Sequence, residues 1–414
     1  MEEEEKMSVP YLSEEWCVSP YNFLEEVRSE MHIPSKVIIH DSTLRDGEQH
    51  PGIVFTKEDK IKIARALDSY GVHRIEVMPA VSPEDLEAVI EMRGLGLKSE
   101  IVGFCRADLN DVGIALKSGV SSVVIEVFAS PYLLHAVGWT FDQAADKMIK
   151  ASLFAKEKGV RVTQFIVDST RTTFDVLQRF LDRVIQEGQP DSLCLADSRG
   201  VLIPQAAYHL VRKVKQNYAL PIEIHAHNFF GFGTADALAG VCAGAEVVHT
   251  AINGLGEGAG NTALEEIALD LRIMLGIDLG INYAKTYEMC KLVEDLSHVS
   301  LQSTKPIVGD KVFTSESGIA VSRLLKMKEK GIPLIPYSDS LLPEFVGRKR
   351  DILIGKKSGR ASIEYKMKEL GLPVPAPEVQ QGILESVKKY SLENKKAVSD
   401  EAFKSIAQGA LSSK

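Results

Sequence analysis

The feature that most constrains this chain is a regular alternation of short β-branched runs with longer amphipathic stretches, which begins near residue 37. Eight such runs are present: VIIHDS (37–42), RIEVM (74–78), EIVGF (100–104), SVVIEVF (122–128), RVTQFIV (161–167), DSLCLAD (191–197), IEIHAH (222–227) and EVVHTAI (246–252). Several intervening stretches end in glycine, as helix C-termini often do. Eight strand–helix units predict an α/β fold of the (β/α)8 TIM-barrel type. An open doubly wound sheet is the alternative, but no G-x-G-x-x-G follows the first run.

The barrel pattern ends near residue 276, and this gives three expected regions. Residues 1–36 form an N-terminal helical extension with a frayed acidic start, and residues 37–276 form the catalytic barrel. Residues 277–414 form a smaller, mostly helical C-terminal region made of subdomains, in which the Pro-rich link LGLPVPAPE precedes a last amphipathic helix.

Composition excludes several classes of function. The formal net charge is −9 and there is no basic run, which argues against a nucleic-acid partner. No apolar stretch is long enough to span a bilayer, and the acidic N-terminus lacks the order of a signal peptide. The five cysteines are widely spaced and odd in number, which is typical of a reducing compartment. We therefore expect a cytoplasmic protein with small-molecule substrates.

The seventh run, IEIHAHN, carries the clearest chemical signal. Glu223, His225 and His227 occupy alternate positions, so a strand would place them on one face. A strand with polar residues facing water is the simpler interpretation of this short pattern. In barrel enzymes, however, the active site lies at the C-terminal ends of the strands, where His225 and His227 fall.

Oxygen ligands for a metal follow two neighbouring strands. The first run leads into DSTLRDGEQHPG, which contains Asp46, and the eighth leads into the Gly-rich NGLGEGAGN, which contains Asn261. Carboxylate, imidazole and amide groups suit Mg²⁺, Mn²⁺ or Zn²⁺. The sequence therefore predicts a divalent-metal site with positions left for substrate.

TLRDGEQ, HAHN and NGLGEGAGN resemble the motifs of the metal-dependent acyl-CoA-condensing and lyase barrels. These include isopropylmalate, homocitrate and citramalate synthases, with hydroxymethylglutaryl-CoA lyase more distant. ESGI (316–319), PEFVGRKR (343–350) and IGKKSGR (354–360) resemble the C-terminal subdomains of the isopropylmalate branch. The resemblance implies an acyltransferase that condenses an acyl-CoA, acetyl-CoA above all, with a 2-oxo acid. It also implies a homodimer whose C-terminal region contacts the partner and covers the active site.

The resemblance assigns roles to individual residues. Those that match metal positions are Asp46, His225, His227 and Asn261. Those that match catalytic positions are Arg45, which offsets negative charge, Glu223, a carboxylate beside the substrate, and Ser198, which binds the oxo acid's carboxylate. Those expected at the substrate are Gln49, Arg106, Leu134 and Glu257. Because Leu134 stands where homocitrate synthases use an arginine for the distal carboxylate, 2-oxoglutarate is disfavoured.

The sequence departs from the family pattern in three places, and the first two leave the catalytic base open. Ala320 stands where the synthases carry a histidine that reaches the partner subunit's site, and a methyl group cannot move a proton. Ser315 replaces a nearby histidine, and His50 and His135 are candidate substitutes. Val167 stands where the isopropylmalate branch tends to have a glutamate, and the adjacent Asp168 is a possible replacement.

The third departure lies in the loops after the sixth and eighth runs. Arg199 stands where a small apolar residue is usual and Gly258 where an arginine is usual, so we expect Arg199 to supply a guanidinium near the same rim. Two other interpretations of the function stay open at this point. The chain could be a carbon–carbon lyase or aldolase on the same metal barrel, or a metal-binding homologue that catalyses no reaction.

Overall fold

The computed structural model describes residues 9–412, so the acidic start predicted for the N-terminal extension lies outside the described residues. The chain divides into two compact units. One comprises residues 19–301, and the other combines the segment that ends at Val18 with the chain from Gln302 onward. No helix between residues 9 and 412 is both long and apolar enough to cross a membrane.

The first unit is a closed barrel of eight parallel strands in sequential order, with the first strand paired to the eighth. The strands are β1 (Ile38–Asp41), β2 (Arg74–Val77), β3 (Glu100–Arg106), β4 (Ser122–Phe128), β5 (Arg161–Val167), β6 (Ser192–Asp197), β7 (Ile222–Ala226) and β8 (Val247–Thr250). Each of the eight runs coincides with one strand, with β3 continuing two residues past its run, and this confirms the predicted TIM barrel.

Helices connect the strands and surround the barrel. In this unit they are α1 (Glu25–Arg28), α2 (Lys57–Tyr70), α3 (Pro83–Gly94), α4 (Leu109–Ser118), α5 (Pro131–Val137), α6 (Phe141–Glu157), α7 (Phe174–Gly188), α8 (Pro204–Asn217), α9 (Gly233–Cys242), α10 (Leu264–Leu269) and α11 (Thr286–Ser297). Local sequence sets their ends: Thr56 and Asp59 form a capping box at the start of α2, and Gly71 ends that helix with a left-handed φ of 104°.

The strand period of two determines what fills the barrel. Val102, Phe104, Val124, Phe165 and Cys194 pack together in its interior. Ionisable side chains occupy other buried positions of the strands, and among them are His40, Glu76, Glu223, His225 and His249. Charged groups at these positions are retained only where they have partners, because burial of an unpaired charge is costly.

The barrel unit extends past residue 276, where the repeat pattern ends. Asn282 donates a backbone hydrogen bond of 2.8 Å to the carbonyl of Tyr70 at the end of α2. The side chain of Asn253 donates one of 2.9 Å to the carbonyl of Cys290 in α11. At the other end of the chain, Arg28 donates a hydrogen bond of 2.9 Å to the carbonyl of Met274. These bonds join α11 and the segment around α1 to the barrel.

The second unit is mostly helical, as predicted. Its elements are β9 (Thr314–Ser315), α12 (Gly318–Glu329), β10 (Asp351–Ile352), α13 (Arg360–Glu369), α14 (Pro377–Asn394) and α15 (Asp400–Ser412). Its core includes Val321, Ile363, Ile383 and Phe403. The N-terminal segment joins this unit, since Leu342 donates a backbone hydrogen bond of 2.8 Å to the carbonyl of Glu15. The described part of the expected extension, residues 9–36, is thus divided between the two units.

Candidate metal centre and active site

Three side chains from β7 and the loop after β1 converge at the C-terminal mouth of the barrel. Nε2 of His225 lies 3.2 Å from Nε2 of His227. Oδ2 of Asp46 lies 3.3 Å from the first nitrogen and 3.7 Å from the second. A circle through three atoms with these spacings has a radius of about 2 Å, the length of a bond from a divalent ion to nitrogen or oxygen. All three side chains are buried.

Asn261 adds a fourth potential ligand atom. Its Nδ2 donates a hydrogen bond of 2.9 Å to the carbonyl of Leu255, while its buried Oδ1 has no partner in the described part of the chain. The Gly-rich loop makes room for it, since a Cβ on Gly256 would collide with the Asn261 side chain and lie 3.0 Å from Oδ1 of Asp46. A buried amide oxygen without a donor beside two imidazoles and a carboxylate fits a divalent cation.

The protonation states of His225 and Asp46 also fit a metal site. Burial lowers the pKa of His225 to about 3, which keeps its imidazole neutral. Burial alone would raise the pKa of Asp46, but Arg45 and His225 outweigh it and hold that pKa well below the usual range. Neutral imidazole and ionised carboxylate are the forms that bind metal.

Arg45 is held beside this cluster by two carboxylates. Its Nε donates a hydrogen bond of 2.6 Å to Glu76, and its Nη1 donates one of 2.8 Å to Asp46. The guanidinium carbon lies 4.0 Å from the centre of the Phe104 ring. Burial opposes the charge, but Glu76 and Asp46 outweigh this effect and raise the pKa of Arg45. Nη2 is buried without an acceptor among residues 9–412, so it is available to an oxygen of a bound molecule.

A buried network continues beneath Arg45. Glu76 also contacts Nε2 of His40 at 3.1 Å, and the ring of His40 stacks on that of His249 with centroids 4.1 Å apart. His249 in turn contacts Glu223 at 2.7 Å. Glu76, His40 and His249 were not predicted as site residues, although each interrupts an apolar strand run. That interruption is the sequence signal that could have identified them.

Glu223 shares a strand face with the two histidines as expected, but it lies near the start of β7, away from the mouth. Besides His249, it accepts hydrogen bonds from Ser192 at 2.7 Å and from Arg74 at 3.1 Å. It is fully buried, and His249 and Arg74 outweigh the effect of burial and lower its pKa. These partners lie below the cluster of Asp46, His225 and His227. The place of Glu223 beside the substrate stays a prediction.

Ser198 and Glu257 lie at the mouth with His227. These three residues line a cavity of about 290 Å³ that Arg171 and Arg199 also border. The Ser198 hydroxyl accepts a hydrogen bond of 2.9 Å from the backbone N–H of Asp168. Arg199 places a guanidinium at this rim, as expected, 3.8 Å from an exposed Glu257 carboxylate.

The other residues predicted at the substrate lie elsewhere around the rim. Gln49 is exposed at the end of the short 3-10 helix Gly47–Gln49. Arg106 ends β3 and binds both carboxylate oxygens of Asp111, at 2.6 and 2.9 Å. Leu134 is buried within α5, with 6% of its surface exposed.

The candidate substitutes for the missing histidine are not grouped together. His50 contacts the carbonyl of Gly256 at 3.3 Å, whereas His135 is exposed on α5. Asp168 has a left-handed φ of 57° and binds Arg171 through both oxygens at 2.7 Å. Ala320 lies in α12 of the other unit.

The chain matches a family of known proteins over most of the barrel. Residues 36–293 match the family model described as HMGL-like. The chain is 36% identical over 395 residues to homocitrate synthase AksA of Methanothermobacter thermautotrophicus, covering 95% of this chain and 97% of that one. It is 39% identical over 379 residues to a putative (R)-citramalate synthase of Archaeoglobus fulgidus, with 91% and 76% covered. It is 38% identical over 353 residues to the 2-isopropylmalate synthase of Methanocaldococcus jannaschii, with 85% and 67% covered.

Among solved structures, the chain is similar to the HMG-CoA lyase of Bacillus subtilis. The TM-score is 0.59 at 20% sequence identity, and the match covers 66% of this chain and 98% of that one. At this level of identity the likeness is one of fold.

Proposed function

The chain belongs to the HMGL-like family, and from that premise we propose that it catalyses the divalent-metal-dependent condensation of an acyl-CoA with a 2-oxo acid. Acetyl-CoA is the proposed acyl donor, and the product is a 2-alkylmalate-type hydroxy diacid plus CoA. The observation that carries the proposal is the cluster of Asp46, His225 and His227 with the Arg45 guanidinium directly beside it.

Asp46, His225, His227 and Asn261 would hold the ion. A divalent ion in this site supplies Lewis acidity toward a ketone oxygen and a template for the oxo acid. Arg45 contributes a buried positive charge where negative charge builds on oxygen, in surroundings that strengthen the interaction. Ser198 would position the oxo acid's carboxylate through its hydroxyl. The substrate-binding pocket would be lined by Gln49, Arg106, Leu134 and Glu257.

The relatives support condensation over cleavage. The three relatives named above each span most of this chain, and all are synthases, at 36–39% identity. Their names differ in the oxo acid, so the substrate is proposed from this chain's own residues. Leu134 offers no charge to a distal carboxylate, and we propose an oxo acid with an apolar tail, or pyruvate or glyoxylate, rather than 2-oxoglutarate.

We also propose that the protein is a homodimer and that the region from residue 277 onward supplies its contacts and its active-site cover. Light scattering at micromolar concentration should give twice the mass of 45.4 kDa. A monomer at that concentration would contradict this part of the proposal.

The test of the function is release of free CoA thiol by protein loaded with Mn²⁺. Acetyl-CoA is supplied with glyoxylate, pyruvate, 2-oxobutyrate, 2-oxoisovalerate, oxaloacetate or 2-oxoglutarate. Release that depends on one oxo acid establishes the synthase and names its substrate. No release with any of them, from protein that holds the ion, rejects the condensation of acetyl-CoA. Cleavage of 3-hydroxy acids and their thioesters then decides whether the chain is a lyase.

A further inference from the structure

Glu126 carries a carboxylate on the interior face of β4, and it has no part in the metal site or in the substrate contacts proposed so far. It lies two residues beyond Val124, which packs in the barrel interior, so the strand period directs it to the same face. β4 pairs with its neighbours so that Glu126 is opposite Arg106 of β3 and Phe165 of β5. Phe165 contacts the ring of His225, with centroids 5.1 Å apart. Glu126 therefore faces the barrel's interior near its C-terminal mouth.

The carboxylate of Glu126 has no hydrogen-bond or ion-pair partner within residues 9–412. The nearby cations are engaged elsewhere. Arg45 is bonded to Glu76 and Asp46, and Arg106 is bonded through two nitrogens to Asp111. An unpaired carboxylate in a half-buried position is costly, and such groups are often retained for function.

Space for a ligand adjoins this carboxylate. Glu126, Phe128, Trp139 and Lys147 line a cavity of about 350 Å³ that Arg106 also borders. The ammonium of Lys147 lies 4.8 Å from the centre of the Trp139 ring. A molecule that enters here can reach Glu126 without displacing an existing bond.

Arg45 supplies the complementary group. Its guanidinium stacks on Phe104, and Phe104 pairs in register with Val124, one step below Glu126 on the same face. Nη2 of Arg45 is buried and lacks an acceptor among the described residues, while Glu126 lacks a donor. An enolisable carbonyl fits these two groups, because its oxygen can accept a hydrogen bond from Nη2 of Arg45 while its α C–H is directed toward the Glu126 carboxylate.

We propose that Glu126 is the catalytic base that takes a proton from the α-carbon of the acyl thioester, an inference that rests on the proposed function. The C–H bond breaks and its proton passes to the Glu126 carboxylate. The electron pair forms the enolate, whose carbon then bonds to the ketone carbon of the oxo acid. The π electrons of that ketone move to its oxygen, which takes up a proton from water. A second water then adds to the thioester carbon and the C–S bond breaks, which gives the carboxylic acid and the free CoA thiol, so no oxidant or reductant is needed.

The charge environment supports this role. Burial raises the pKa of Glu126 to about 7, an effect that Arg45 and Arg106 oppose and that Glu76 and Asp46 reinforce. A base whose pKa lies near the working pH combines an available carboxylate with a useful affinity for the proton.

Other acidic groups at the mouth are less suited. Asp168 is bonded to Arg171 through both oxygens, and Glu76 is bonded to Arg45 and His40. The side chain of Glu257 is 62% exposed beside Arg199. Of the rim carboxylates considered, only Glu126 is both half-buried and unpaired.

The test compares Glu126→Gln with wild-type protein, both loaded with Mn²⁺, by thiol release with the oxo acid that the wild type accepts. Glutamine keeps the size of the side chain but cannot take the proton. We expect kcat to fall by about 100-fold or more, with the KM for acetyl-CoA and the affinity for Mn²⁺ little changed. The rise of wild-type kcat with pH near neutrality should disappear. Glu126→Asp keeps the carboxylate but withdraws it by one methylene group from the cavity. This variant should have a lower kcat than the wild type, and its kcat should still rise with pH near neutrality.

Asp270→Asn is the matched control. Burial raises the pKa of Asp270 to about 6, but this residue follows α10 outside the barrel interior, so its variant should keep the wild-type kcat and pH profile. Glu126→Gln with a kcat near that of the wild type would overturn the assignment. So would an effect confined to the KM for the oxo acid with the pH profile unchanged. Absence of thiol release by the wild type itself would reject the proposed function, and this inference with it.

Discussion

Nε of Arg45 donates a hydrogen bond of 2.6 Å to Oε1 of Glu76, and both side chains are buried inside the barrel. The two residues come from different strand–loop units, separated by 31 positions in the chain. The orientation of the guanidinium at the proposed metal centre therefore depends on a carboxylate that has no contact with the ligand atoms.

Replacement of Glu76 by glutamine should destabilise the protein. It leaves Arg45 buried with one carboxylate instead of two, and the loss of one partner of a buried ion pair costs about 3 kcal/mol. Urea unfolding of metal-free protein measures the difference. Glu87→Gln is the control, because its carboxylate is 68% exposed beside Lys57 and should contribute within about 0.5 kcal/mol. Equal stabilities of the two variants would contradict the role assigned to Glu76.

The stabilisation of the fold by Glu76 should depend on pH. Burial raises its pKa, but Arg45 and His40 outweigh burial and lower the pKa from 4.5 to about 2. The unfolded chain therefore binds the proton more readily, so the stabilisation is complete above pH 4.5 and is lost as the pH falls toward 2. The difference in unfolding free energy between wild type and Glu76→Gln should be constant from about pH 7 to 5 and narrow below about pH 4. If the difference in unfolding free energy stays constant down to about pH 3, the ionised Glu76 carboxylate is not the source of the stabilisation.

Removal of His225 should abolish tight metal binding. Its Nε2 is one corner of the triangle formed with Asp46 and His227, so His225→Ala should weaken Mn²⁺ binding by more than about 100-fold. Titration calorimetry on EDTA-treated protein measures the affinity, and His135→Ala on the exposed surface of α5 is the control. The same EDTA treatment should stop thiol release by the wild type, and added Mn²⁺ should restore it.

The Gly-rich loop should tolerate a side chain at one glycine but not at another. A methyl group on Gly256 would collide with the Asn261 side chain, whereas a Cβ on Gly258 would have open space around it. Both positions have positive φ, so each alanine carries a backbone cost of about 1 kcal/mol. Gly256→Ala alone should also lower the affinity for Mn²⁺. Equal Mn²⁺ affinities for the two variants would argue against a part for Asn261 in the metal site.

Arg199 should matter for turnover and not for folding. Its guanidinium lies 3.8 Å from Glu257, and both side chains are about half exposed, so the pair stabilises the fold by well under about 1 kcal/mol. Since Arg199 borders the same cavity as His227 and Ser198, Arg199→Ala should lower kcat/KM with little change in the unfolding transition. Wild-type kcat/KM in this variant would show that the guanidinium has no part in the reaction.

Much of the fold could be predicted because it depends on local pattern. Each β-branched run became one strand, and the strands close in the order in which they occur. The family prediction is confirmed by the match over residues 36–293. The convergence of Asp46, His225 and His227 followed from the same pattern, since only β8 separates β1 from β7 in the closed barrel and all three residues lie at or just beyond the C-terminal ends of those two strands. The roles given to the site residues stay predictions.

The interior network could not be predicted in this way. A histidine in an apolar run can face solvent, a metal or another side chain, and the stacking of His40 on His249 joins residues from opposite ends of the barrel sequence. Glu223 shows the same limit: its strand face was predicted, but its depth and its bonds to His249 and Arg74 depend on how the strands are staggered.

By itself, the sequence determined the barrel class, the order of its strands and the rim where the metal-binding residues gather, because strand period and helix ends are properties of short segments. Only the tertiary structure decided which carboxylates hold Arg45 and which one, Glu126, stands unpaired beside a cavity. The physical reason is that pairing and burial of a charge depend on neighbours brought from distant segments, and the energies of burial and pairing are set in that packed environment.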